Sequence, residues 1–95
     1  MIKLFVYGIF TNRSTQQSVL GYIPKQEDAV LEGYSISNKL VLGQYKTIKP
    51  DSDGMTSGVL LYLKDSDLIT TDRVEGVSHG LYKRITIDNW MAYIH

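Results

Sequence analysis

The chain has 95 residues, with ten Lys plus Arg matched by ten Asp plus Glu, and it contains no cysteine. A chain of this length buries roughly 60% of its unfolded surface, which supports one modest core and so one domain over residues 1–95. Zero net charge leaves no long-range field to gather nucleic acid or anionic membranes, and the missing thiols exclude disulfides, thiolate metal sites and a cysteine nucleophile, in keeping with a cytoplasmic setting.

The N-terminal "MIKLFVYGIF" is a short apolar run broken at Gly8, too brief for a secretory core or a bilayer span. Its β-branched and aromatic content predicts a buried first strand, "IKLFVY", ending at a glycine turn. Residues 11–26 read as a loop holding one short helix, capped by Ser14 or Thr15 and broken by Gly21 and Pro24. "AVLEGYSIS" predicts a strand with Gly33 at a bulge, and "KLVLGQYKTI" an irregular extended partner joined to it by a hairpin near Asn38. "PDSDG" has turn composition, and a strand over 56–63 follows it. Asp65 is placed to cap a helix running to Val74, with Gly76 as its left-handed C-terminal cap. "LYKRITI" and "WMAYIH" predict a final hairpin about Asp88-Asn89. The fold class that results is α+β, a small mixed, barrel-like sheet of about six strands with one or two short helices.

Among candidate sites, Glu75 comes first. Leu68, Asp72 and Glu75 share one helical stripe, so the carboxyl points along a partly apolar face. The negative helix end and the nearby Asp72 would also favour its protonated form, as general acid-base chemistry requires. The alternative is a solvated carboxylate paired with Arg73 or Arg84, and Arg84 decides between the two. In "VYGIF" a strand runs into a glycine, where successive backbone N–H groups can converge on a carboxylate or oxyanion, although for a single glycine an ordinary strand-end turn is the better reading. Ser78 and His79 lack an orienting third residue, Asp51 and Asp53 lack the rest of a calcium loop, and "NRS" over 12–14 has no role in a chain outside the secretory route. Tyr7, Tyr62, Tyr82, Trp90 and Tyr93 are expected in the core.

In order and spacing these pieces resemble the γ-glutamylcyclotransferase-like superfamily, which includes γ-glutamylamine cyclotransferases and the enzyme that unmasks butirosin-type antibiotics. The carriers are "LFVYGIF", "GVLLYL" from Gly58, "TDRVEG" ending in Glu75 and Gly76, "YKR" from Tyr82, and "WMAYIH". The chain departs from that pattern at Ile9 and Phe10, which replace a small hydroxyl residue and leucine, at Val59 and Thr71, and at Lys46 following Tyr45. It is also shorter than most members.

The resemblance implies a lyase-like reaction that releases 5-oxoproline from a γ-glutamyl amine or peptide. Tyr7, Gly8, Ile9 and Phe10 would bind the substrate through backbone amides, and Glu75 would carry the proton. Both reacting groups belong to one small molecule, so ring closure calls for no enzyme nucleophile, metal or cofactor. A binding protein on the same fold without turnover is the competing expectation, since the substituted "GIF" would remodel the pocket. Specificity for the leaving amine is expected in residues 11–26 and 43–56; the oligomeric state is left open.

Overall fold

The computed structural model describes residues 1–95. Its strands are β1 (Ile2–Val6), β2 (Gln26–Ile36), β3 (Ile48–Leu63), β4 (Lys83–Ile87) and β5 (Trp90–Ile94), and its helices are α1 (Arg13–Leu20) and α2 (Asp65–Val74). The side chains of β1 alternate between two apolar clusters. Leu4 and Val6 join Phe10, Leu61, Leu63 and Tyr93, whereas Phe5 joins Leu31, Ile48, Leu60, Ala92 and Ile94. A strand buried on both faces belongs at the sheet centre. Accordingly β1 runs antiparallel to β3 and parallel to β5, in the order β2-β3-β1-β5-β4. Val19 and Leu20 of α1 pack on the first cluster, and the buried Thr71 of α2 meets the Tyr93 hydroxyl at 2.7 Å.

The α+β class with a mixed sheet and two short helices is as expected; the sheet has five strands rather than about six and stays open, with β2 and β4 as its edges, so barrel-like describes it only loosely. The missing strand is the stretch 39–48. Residues 39–47 form turns around a single Val41–Tyr45 bridge, and of this stretch only Ile48, the first residue of β3, pairs with β2, opposite Ile36. "PDSDG" also lies inside β3. Register breaks between Glu32–Met55 and Tyr34–Pro50, which leaves residues 51–54 opposite Gly33 at φ 85°. Asp51 Oδ1 accepts the Asp53 N–H at 3.1 Å, so turn chemistry is spent on a wide bulge within one long strand pair.

Capping differs in detail from the expectation. Asn12 caps α1, its Oδ1 accepting from Ser14 N at 2.8 Å, and Gly21 closes the helix at φ 83°. Lys64 precedes α2, and Asp67 accepts its N–H at 3.1 Å. Glu75 is the C-terminal cap of α2 rather than part of its last turn, and Gly76 follows in the left-handed region as expected. The last hairpin turns at Asp88-Asn89, where Ile87 pairs with Trp90.

The central position of β1 has a measurable consequence. Its amides between Leu4 and Val6 should exchange with solvent among the slowest in the protein, because opening them requires separating β3 and β5 together. Fast exchange there, with protection elsewhere, is incompatible with this strand order.

Candidate active site

Beyond Val6 the chain leaves the sheet through Tyr7 and Gly8 and enters a 3-10 turn, Ile9–Thr11. Side chains hold this turn from beneath. Thr11 Oγ1 donates to Gly8 O at 2.8 Å, and Gln16 Nε2 donates to Phe10 O at 2.9 Å. Gln16 is fully buried and its own amide oxygen accepts from Gln26 Nε2 at 2.8 Å, so the support is itself fixed. Of the backbone hydrogen bonds outside the regular elements, none is donated by Tyr7, Gly8, Ile9 or Phe10. Four successive donors are therefore not consumed by loop pairing.

Glu75, at the end of α2, lines the same cavity of about 800 Å³ as Tyr7, Gly8, Ile9 and Phe10. The chain's sole ion pair joins Arg84 to Asp72 at 3.3 Å. Arg84 is thus engaged one helical turn before Glu75, whose carboxyl has no ionic partner. Tyr93 reinforces the arrangement by donating to Asp72 at 2.5 Å, while Tyr7 donates to Tyr93 O at 2.5 Å. Burial pushes Glu75 up to about 6 from the ordinary 4.5. Asp72, expected from the sequence to add like-charge repulsion, has its charge answered by Arg84.

Two phenols respond to Glu75. Burial, with the Glu75 charge adding, pushes Tyr82 up to about 12 and raises Tyr7 further. Tyr82 donates to Lys46 O at 2.7 Å, which ties the loop between β2 and β3 to the stretch before β4, and both residues line the cavity. Tyr45, Lys46, Tyr82 and Tyr93 all line the cavity; Tyr93 is also part of the core as expected, whereas Tyr82 is only half-buried and the segment carrying Lys46 is not the expected extended strand. Tyr62 is likewise outside the fully buried core, donating to Glu27 at 2.8 Å. Gln16 was missed altogether, since "STQQSVL" offers no sign that one of its polar side chains is buried. Ser78 and His79 approach to 3.2 Å in an exposed turn, and no group of three or more His, Cys, Asp or Glu side chains converges.

A Cβ built on Gly8 meets nothing within 4 Å and its φ is −117°, so neither a close contact nor a positive φ calls for glycine there. Gly8→Val is expected to change the unfolding free energy by less than about 1 kcal/mol while weakening ligand binding at least about tenfold, because the branched side chain fills cavity space beside the turn. Equal losses of stability and binding would reduce Gly8 to a structural residue.

An open mixed sheet whose central strand ends at an unpaired amide turn, with a carboxyl at a helix terminus lining the same cavity, defines the α+β class of this protein. The family described as gamma-glutamyl cyclotransferase, AIG2-like, matches residues 4–92, and the chain belongs to it. A search of curated proteins finds no match. A solution structure from Arabidopsis thaliana is similar at 26% identity and TM-score 0.79, over 98% of this chain and 67% of that one. A gamma-glutamyl cyclotransferase structure aligns at 18% identity and TM-score 0.84, over 98% of this chain and 65% of that one. YkqA from Bacillus subtilis aligns at 24% identity and TM-score 0.81, covering 98% of this chain and 39% of its own. The chain therefore spans about two thirds of the first two structures and well under half of the third. No helix is long and apolar enough to cross a membrane.

Proposed function

We propose that the protein is a cyclotransferase that releases 5-oxoproline from a γ-glutamyl amine or peptide, with Glu75 as the proton carrier. The observation that carries this reading is an unpaired carboxyl, pushed up to about 6, on the same cavity as the free amides of Tyr7, Gly8, Ile9 and Phe10. The substrate's α-amine attacks its own δ-carbonyl, forming the ring C–N bond. The Glu75 carboxylate takes a proton from that nitrogen and returns it to the leaving nitrogen as the old C–N bond breaks. The amide turn receives the substrate carboxylate and the developing oxyanion, where donors fixed in advance lower the barrier. No enzyme nucleophile enters the balance, because the intramolecular geometry already supplies the proximity.

The test is incubation with a panel of γ-glutamyl amines and peptides, following 5-oxoproline and the freed amine in equal amounts. Equimolar release supports the proposal. Tight binding of the panel without either product overturns it in favour of a binding protein.

A further inference from the structure

We infer that the leaving nitrogen carries an uncharged, apolar substituent, seated on Leu42, Tyr45, Val74 and the side chain of Ile9; this rests on the cyclotransferase reading. The γ-glutamyl half of the substrate is polar and is matched by the amide turn and Glu75. What is attached to its δ-nitrogen meets the remainder of the cavity. There, Ile9, Leu42, Val74 and Tyr45 are 66%, 64%, 51% and 39% exposed, and all four line the cavity that Glu75 lines. Apolar side chains clustered beside a polar site gain most from a substituent that covers them.

Leu42 stands at the corner of the Val41–Gln44 turn, at φ 54° with Gly43 at φ 70° and the Gln44 N–H donating to Val41 O at 3.1 Å, so the turn accounts for its backbone, and its side chain stays exposed on the cavity. Charge argues the same way. The only charged side chains on the cavity are Lys46 and Glu75, and Lys46 is exposed, where pairing with a leaving-group carboxylate is weak.

Three substrates separate the possibilities: the γ-glutamyl amides of phenethylamine, of phenylalanine, which adds a carboxylate to the same skeleton, and of ethanolamine. Affinity is measured by calorimetry on Glu75→Gln, and turnover on the wild type. The phenethylamide should bind on the order of tenfold more tightly than the ethanolamide. Leu42→Asn, which suits the left-handed backbone, should narrow that ratio severalfold in the same background. A phenylalanine derivative that binds best, and loses its advantage in Lys46→Ala, overturns the inference. Loss of a wild-type dimer in Leu42→Asn also overturns it, because the apolar seat is then covered by a second copy. A phenethyl preference without 5-oxoproline removes the catalytic reading and keeps the seat; turnover without a preference does the reverse. Binding of none of the three overturns both.

Discussion

Glu75→Gln is expected to lower kcat for 5-oxoproline release by on the order of 10²–10⁴-fold, with a much smaller change in KM. Glutamine keeps the size of the side chain and can still face the cavity, but it neither takes a proton nor returns one. The wild-type profile of kcat/KM should rise with pH through about 6, where the carboxyl ionises, and this limb should vanish in the variant. Stability should move the other way. Because the folded state raises this carboxyl, it binds more protons than the unfolded chain between 4.5 and about 6. Stability is therefore lost as pH rises through that window and stays lost above it. Glutamine removes the loss, so the variant should be more stable than wild type at pH 7 by on the order of 1 kcal/mol, with the difference gone below the ordinary glutamate value. A variant with full turnover, or one that is less stable at pH 7, would mean that Glu75 is a paired surface anion after all.

Much of the fold follows from local patterns that tertiary structure does not oppose. Residues 2–7 read as a buried strand because an apolar run stopped by glycine has few other outcomes, and Asp88-Asn89 lies between two short strands with little room for anything but a hairpin. The apolar residues of 39–47 suit an extended strand, yet β2 pairs from Ile36 backwards with β3, which begins only at Ile48, so the preceding residues are left to turn. "PDSDG" was correctly seen as turn chemistry and wrongly seen as a strand boundary, since composition does not reveal that a bulge opposite Gly33 can absorb it. At the site, the position of Glu75 at a helix end and its raised pKa were legible from the stripe and the following glycine. The cause was only partly legible: burial acts alone, because Asp72 is matched by Arg84 from a strand far along the chain. The same long-range pairing settles the question about Arg84 that the sequence left open.

Gly58→Ala is expected to destabilise the protein by about 3 kcal/mol, towards the upper end for overpacking, and to lower Tm by about 12 °C or more. The glycine follows the bulged half of β3 and lies against the end of β1, pairing with Ala29 of β2 on its other side. A Cβ there would stand 2.2 Å from Val6 O and 2.8 Å from Phe5 Cζ. The first is backbone of the central strand and the second belongs to a fully buried ring stacked on Trp90 at 5.8 Å, so neither can move without disturbing the sheet. Because Val6 immediately precedes Tyr7 and Gly8, the displacement should also reach the amide turn, and substrate affinity should fall together with stability. Gly8→Ala makes the matched control for stability alone: two residues beyond Val6, its added Cβ meets open space, although it lies in the binding turn itself. Chemical denaturation of both variants, with binding measured well below each midpoint, separates the effects. If Gly58→Ala unfolds at the same denaturant concentration as Gly8→Ala, then β3 does not press against β1 as closely as described, and the link between the sheet and the turn is lost with it.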